Sequence, residues 1–439
     1  MVAASMLVAA ALAAPFSTRA VVPVSSSSVS ATVVPAAFNP NAVARAHTTT
    51  ITVTPAVAGT LTVTVESEAG ALLTTLASGV AVVPGTEATY SWDGADAPDG
   101  SYAVRAAVVD AQGAVAEAVA PVLIDTRPPK PVVPPLQPSA TARGPVTARA
   151  GSSDPSGIAA MQLEVASQTG VAIGTVPMAV ADAAAGSVTW NLRIRKRLLL
   201  PGVFHVRVRA TDGAGNSGAS DVRLLRVSRA VTARIIYSLP DAGNVIGLSF
   251  DDCVEGAAMQ RIIRAFRAAK ARTTFFCNGV NVGPNADAMR AALAAGDAIG
   301  AHTWSHKQLP SLSEAAQSGE MQGDVDAWWS VDKAAPTPLL RPPYGLWNEA
   351  TLRAAGARGF AWIVLWNVDP SDYLDPAPAT LVQKVVADAR PGAIVVMHVN
   401  ANTASAVPDM IRAVRAKGLE PKSIDEMLGP AAYLSPASG

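Results

Sequence analysis

The feature that most limits the folds open to this chain is a switch in hydrophobic period near residue 237. From about Ala44 to Arg229, apolar and polar residues alternate in short runs broken by Gly, Pro and Asp. The clearest run is Thr50 to Glu66, TITVTPAVAGTLTVTVE. Period-two alternation suits half-buried strands. After Tyr237, short apolar runs are separated by Ala/Arg-rich stretches, and Met259, Ile262, Ile263 and Phe266 fall at the spacing of one helix face. The candidate strands are 245–250, 273–277, 298–302, 339–341, 360–366, 393–398 and a short one near Leu419. Strands that alternate with helices predict a parallel sheet wrapped by helices. About seven such units predict a small or incomplete barrel.

An internal repeat divides the period-two region. Trp92-Asp93 is followed by Gly100-Ser101-Tyr102, Asp110 and Gly113; Trp190-Asn191 is followed by Gly202-Val203-Phe204, Asp212 and Gly215. Gly to Asp spans ten residues and Gly to Gly thirteen in both copies, so one unit occurs twice. Each unit resembles a bacterial immunoglobulin-like sandwich, and the first also resembles the Ig-like domain of flagellar-hook capping proteins. The expected units are residues 44–125 and 126–230, parted at Asp125-Thr126-Arg127-Pro128-Pro129, where paired prolines keep the backbone extended. Asp212-Gly213-Ala214-Gly215-Asn216 reads as turn chemistry rather than a calcium loop. His47 and His205 have no ligand partners nearby in sequence and read as plain surface or strand residues. The modules read as spacers or docking units, with carbohydrate binding as the alternative.

Upstream, Val2 to Phe16 carries no charge, and Ala11-Leu12-Ala13 offers a small-x-small cleavage pattern after a short apolar run. That run is shorter than the ~20 residues of a membrane span. Residues 1–20 are therefore expected to be a signal peptide for a secreted or envelope protein. No cysteine follows to carry a lipid, and the Ser/Val/Pro-rich stretch 21–43 reads as a flexible linker. Lys+Arg and Asp+Glu are 34 each, for zero net charge, which argues against nucleic acid or an anionic membrane as partner. Two cysteines are too few for a disulfide scaffold or a Cys-rich zinc module.

In a β/α barrel the active site forms at the carboxyl ends of the strands, and that is where the polar clusters fall. Asp251-Asp252 follows the first strand, and His302 closes the third with His306 four residues on. Arg341-Pro342-Pro343-Tyr344-Gly345 closes the fourth, Asp369 and Asp372 follow the fifth, and His398 ends the sixth. Two histidines and a carboxylate form a facial ligand set for Zn²⁺ or a similar divalent ion, with positions left for water and substrate. Neighbouring residues of one strand point to opposite sides. Asp251 and Asp252 can therefore share a centre only if the turn redirects one of them, which suggests one ligand and one base. Such a base would take a proton from a metal-activated water. His398 could protonate an amide leaving group if a buried carboxylate such as Asp372 raised its pKa.

These residues make the segment from 245 to about 428 resemble the polysaccharide deacetylase family (carbohydrate esterase family 4, nodulation-protein type). The match implies a distorted (β/α)7 barrel over 240–430. Ser249-Phe250-Asp251-Asp252-Cys253 looks like its first motif, making Asp251 the catalytic base and Asp252 a metal ligand. His302-Thr303-Trp304-Ser305-His306 looks like the second and supplies the other two ligands. Arg341-Pro342-Pro343-Tyr344-Gly345 is similar to the third; Arg341 is implied to orient the catalytic Asp, and the Tyr344 amide to hold the oxyanion. Asp369-Pro370-Ser371-Asp372-Tyr373 and Val396-Met397-His398 resemble the last two, with His398 the general acid tuned by Asp372. Tyr373 and Val396 stand where the family has Trp and Leu and still supply pocket walls; Trp304 and Trp347 are further groove candidates, with capping of the following helix the alternative for Trp347. The resemblance implies hydrolysis of N-acetyl groups on an N-acetylated polysaccharide with Zn²⁺, Co²⁺ or another divalent ion, and leaves the oligomeric state open. An O-acetyl esterase, or a silent wall-binding protein, remains an alternative.

Cys253 stands where the family motif has Gly, and Cys277 ends the next expected strand. Adjacent strands lie ~4.8 Å apart, and a disulfide spans Cα atoms about 4.4–6.8 Å apart. A Cys253–Cys277 bridge is therefore expected to brace the metal loop.

Overall fold

A computed structural model of the protein describes residues 29–42, 47–136, 141–142, 144–181, 184–336 and 338–436. The expected signal peptide lies outside the described residues. The described residues fall into two compact units: those up to Arg127 with Gly213–Asn216, and those of Pro128–Asp212 with those from Ser217 onward.

The first unit is all β. Strands Val29–Val34, Thr49–Pro55 and Ala88–Trp92 form one sheet; Ala37–Phe38, Gly59–Ser67, Leu72–Val82, Gly100–Val109 and Val115–Ile124 form a second. Alternate residues Ile51, Val53, Leu61, Val63, Val65, Val104 and Val108 share one core with Phe38, Trp92 and Tyr102. The linker expected over 21–43 does not extend that far. Val29–Val34 pairs with Thr49–Pro55, and Phe38 is buried. Its Val/Ser/Thr alternation is the period-two signal of a strand, which the composition of the stretch had masked.

The second unit opens with another β module. Its main strands lie in the order Val146–Gly151, Ala185–Trp190, Ala172–Ala181, Ile158–Ser167, Gly202–Asp212 and Arg223–Val227. The repeat is structural as well as sequential. Trp92 and Trp190 each end a strand and are buried, and Gly100 and Gly202 each open the next long one. One part of this core comes from far away: Ala432, Tyr433 and Leu434 pack among Trp190, Phe204 and Leu225. Leu200 N–H donates to the Tyr433 carbonyl at 2.8 Å, and Leu199 bridges Leu434.

The remaining strands are β1 Arg234–Ile236, β2 Val245–Asp252, β3 Thr274–Cys277, β4 Ala298–Ala301, β5 Leu339–Leu340, β6 Trp362–Val364, β7 Ala393–His398 and β8 Glu420–Pro421. Helices α1 Gly256–Ala268, α2 Gly279–Val282, α3 Ala286–Ala295, α4 Glu314–Asp332, α5 Glu349–Arg358, α6 Pro378–Asp388, α7 Ala401–Ala416 and α8 Ile424–Leu428 connect or follow them. The sheet runs β1-β6-β5-β4-β3-β2-β7 with β8 beside β2, and its strand pairs are parallel. It curls on itself, because Ser238 past β1 and Val368 past β6 both bridge to β7. Met259, Ile262, Ile263 and Phe266 form the buried stripe of α1 against Phe250 and Phe275, as their spacing predicts. This parallel α/β half carries the strands read from the sequence. It adds β1, whose short Arg-Ile-Ile run gives no clear pattern.

Candidate active site

Asp251 sits on β2 directly beside His398 on β7, and Asp252 beside Cys277 on β3. At Asp252 the backbone turns left-handed (φ 69°), and Cys253 follows at φ 56°. Such conformations cost a non-glycine residue free energy and persist where neighbours enforce them. Here the enforcers are visible. Cys253 N–H donates to the Asp251 carbonyl at 2.8 Å, and the Asn281 side chain donates to the Asp252 carbonyl at 2.9 Å. The Asn285 side chain donates to the Cys253 carbonyl at 3.2 Å. A Cys253–Cys277 disulfide with Cα atoms 5.0 Å apart closes the turn onto β3. This turn lets consecutive aspartates serve one centre, since it swings Asp252 away from the direction the pleat would give it.

Asp252 Oδ1 lies 3.4 Å from Nε2 of both His302 and His306. That is long for a hydrogen bond to nitrogen, ~2.7–3.2 Å. It matches the ~3.4 Å between two ligands held ~2.0–2.1 Å from a tetrahedral zinc ion. The same oxygen is buried with no hydrogen-bond partner, and the three residues form a group able to hold a metal ion. The donor set thus fits a divalent cation. His302 Nδ1 is 2.7 Å from the Arg341 carbonyl. A carbonyl only accepts, so Nδ1 carries the proton and Nε2 offers its lone pair. Burial raises the Asp252 pKa, but the nearby imidazoles outweigh it and hold the carboxyl below its usual range. Burial and the His302 ring lower that of His306. Both shifts favour the states that bind metal.

Arg341 is fully buried and holds Asp251. Its Nη1 donates to Asp251 Oδ1 at 2.7 Å, Nη2 to Ser249 Oγ at 2.9 Å and Nε to the Val364 carbonyl at 3.1 Å. The guanidinium also lies 4.2 Å over the Phe276 ring. Asp251 Oδ2 is turned toward the metal ligands, 3.9 Å from His302 Nε2.

Beside Asp251 stands His398. Its Nδ1 is 2.8 Å from Asp372 Oδ1, and its backbone N–H donates to Asp372 Oδ2 at 2.6 Å. Thr403 Oγ1 donates to Oδ2 as well, at 2.7 Å. Burial alone would lower the pKa of His398, but the Asp372 hydrogen bond, with Asp251 and Asp252 nearby, pushes it up to about 9.

The groove residues divide. Tyr344 (φ 60°) and Tyr373 are exposed, with rings 4.6 Å from His306 and 6.2 Å from His398. Trp304 is exposed too and lies against Gly279, where a Cβ would come within 2.5 Å of its ring. Trp347 is half-buried and Val396 buried. Asp369 shapes the turn, accepting from Ser371 N–H at 2.7 Å.

Sequence reasoning missed two carboxylates on α4. Asp324 Oδ2 accepts the His302 N–H at 2.8 Å, and Glu320 accepts from both the N–H and Oγ of Ser305 at 2.8 Å. Burial pushes the Asp324 carboxyl well above the usual range. Their four-residue spacing is the only signal for them, and on a helix it reads equally as a solvated face.

The profile of the polysaccharide deacetylase family matches residues 239–363. The chain is similar to a peptidoglycan-N-acetylglucosamine deacetylase of Bacillus cereus, 28% identical over 212 residues, covering 47% of this chain and 98% of that protein. It is 30% identical to a chitooligosaccharide deacetylase of Bradyrhizobium sp. over 154 residues, 34% of this chain and 68% of that one. With a peptidoglycan-N-acetylglucosamine deacetylase of Listeria monocytogenes it shares 29% identity over 226 residues, 49% of this chain and 47% of the relative. The chain therefore spans about half the length of that last relative.

Proposed function

The chain belongs, through its C-terminal half, to the polysaccharide deacetylase family, and from that premise we propose that it is an exported, metal-dependent hydrolase of N-acetyl groups. Its substrate is an N-acetylated amino-sugar polymer, peptidoglycan or a chitin-like glycan, and its products are the free amine and acetate. The observation that carries this reading is the equal 3.4 Å spacing of Asp252 Oδ1 from two imidazole nitrogens, with Asp251 and His398 on the adjoining strands.

A divalent ion, zinc in this reading, held by Asp252, His302 and His306 would supply an acidified water and a polarised acetamide carbonyl. Asp251, held in place by Arg341, accepts the proton that the attacking water loses. The Tyr344 amide donates a hydrogen bond to the developing oxyanion. His398, oriented by Asp372 and protonated near neutral pH, delivers a proton to the departing nitrogen. Trp304, Tyr373, Val396 and Trp347 flank the sugar and the acetyl methyl. The disulfide favours an oxidising compartment outside the cytoplasm. Among the described residues no helix is long and apolar enough to cross a membrane.

Two readouts test the roles separately. Asp252→Asn, His302→Ala and His306→Ala should lose bound metal by elemental analysis. Asp251→Asn should retain it, while acetate release from N-acetylglucosamine oligomers falls by ~10²–10⁴-fold. Wild-type acetate release by Asp251→Asn would remove the base assignment.

A further inference from the structure

Among the described residues from Val245 onward, seven large apolar side chains are exposed. They are Val254 after β2, Val280 after β3, Trp304 after β4, Tyr344 and Leu346 after β5, and Tyr373 and Leu374 after β6. All seven lie in connections leaving the carboxyl ends of strands, around the metal-ligand set, and none on the outer faces of the longer helices. Exposed apolar residues scattered singly need no explanation; a collar of them around one site does.

The charges of the same connections are as one-sided. Residues 253–255, 278–285, 302–313, 341–348, 365–377 and 399–400 hold two cations besides histidine, Lys307 and Arg341. Arg341 is buried against Asp251, and the Lys307 ammonium is 3.4 Å from Glu320. Glu255, Asp369 and Asp375 are exposed there. Lys307 is the one exposed basic side chain of these connections, and it is already paired with Glu320. Whatever charge the reacting centre carries, the sugars on either side of it rest on apolar and acidic surface.

Resting on the deacetylase reading, we propose that the collar selects an uncharged N-acetylated glycan, of the chitin-oligomer class, over a chain carrying a carboxylate on alternate sugars. The apolar faces of pyranose rings stack on Tyr344, Tyr373 and Trp304. A carboxylate-bearing neighbour meets no unpaired counter-charge and is repelled by Glu255 and Asp369.

The test compares kcat/KM of the zinc-loaded enzyme on N-acetylglucosamine pentamer and on an equally long strand whose alternate sugars carry a lactyl carboxylate. At low ionic strength the neutral oligomer should be favoured by at least about tenfold, and the ratio should narrow in high salt. The surface variant Glu255→Lys should narrow it too, by raising the value for the carboxylated strand. Quenching of tryptophan fluorescence by each oligomer in metal-free protein reads the same preference without turnover. Equal or better use of the carboxylated strand at low salt overturns the proposal, as does a ratio indifferent to salt and charge reversal. Binding to neutral phosphatidylcholine vesicles without binding of the pentamer assigns the collar to a lipid surface and also overturns it. Acetate from both substrates at equal rates removes the selectivity alone; acetate from neither, with metal bound, removes the deacetylase reading and the selectivity together.

Discussion

Asp372→Asn tests the acid side of the site most sharply. The carboxylate holds His398 through the 2.8 Å contact to Nδ1 and contributes to a pKa of about 9. Relative to an ordinary histidine at ~6.5, that is a preference for the charged ring of about 3 kcal/mol. Asparagine keeps an acceptor but loses the charge, so the ring should fall back toward ~6.5 or below, since burial alone lowers it. At pH 8 the protonated fraction then drops from about 90% to about 3%, a loss of roughly 30-fold in amide hydrolysis; at pH 6 it changes less than about twofold. A bound dication opposes the shares of Asp251 and Asp252, so the basic limb of the loaded enzyme lies below 9, and the test reads the difference between variant and wild type. The assay is acetate release from an N-acetylglucosamine oligomer between pH 5 and 10, with metal content checked. An unmoved basic limb, or losses of equal size at pH 6 and pH 8, refutes the reasoning. The stability sign follows as well. The folded pKa is raised, so in metal-free protein His398 contributes stability in full below about pH 6.5, and that share is lost as pH rises through about 9.

Replacing Cys253 and Cys277 together by serine opens a loop closed over 24 residues and should cost ~3 kcal/mol in denaturant melts. Metal affinity should fall with it in a chelator competition; unchanged affinity would leave the turn to Asn281 and Asn285. Burial raises the Asp297 carboxyl from its ordinary range to about 7. The unfolded chain therefore releases this proton first, and stability falls as pH rises from about 4 to about 7. Asp297→Asn should raise stability by on the order of 2 kcal/mol at pH 8 and by nothing measurable at pH 4; an equal effect at both would refute the assignment. Tyr433→Phe removes the hydroxyl that donates to the buried Asp425 at 2.7 Å and should cost ~1–3 kcal/mol in thermal melts, with acetate release at 25 °C retained.

Much of the site was legible because a parallel β/α order converts sequence position into spatial position. Each residue following a strand lands on the same face, so Asp251, Asp252, His302, Arg341, Asp372 and His398 needed only their strands to be found. The Cys253–Cys277 pair was legible for the same reason, as the residue just past the end of one strand and the last residue of its neighbour, with Asp252 the residue directly beside Cys277. Ser249 was not: its hydroxyl serves the Arg341 guanidinium and the Val395 carbonyl from inside a strand, where a small polar residue gives no pattern. Asp324 and Glu320 were hidden because helical periodicity cannot separate a carboxylate that grips a loop from one in water. The strand at Val29–Val34 was hidden by composition, and the place of Tyr433 by distance, since no local pattern reports a partner more than two hundred residues away.

That distance bears on how the chain reaches its native state. The second β module cannot complete its interior around Trp190 and Phe204 until Tyr433 and Leu434 arrive, and Leu198 N–H receives its acceptor from Ser435, 237 residues downstream. During synthesis the module must wait, incompletely packed, for the whole α/β half to be made and folded. Its closure is a late, high-contact-order event that slows assembly. A nascent chain released before those residues would leave an unfilled apolar slot, an exposed hallmark that chaperones and proteases recognise.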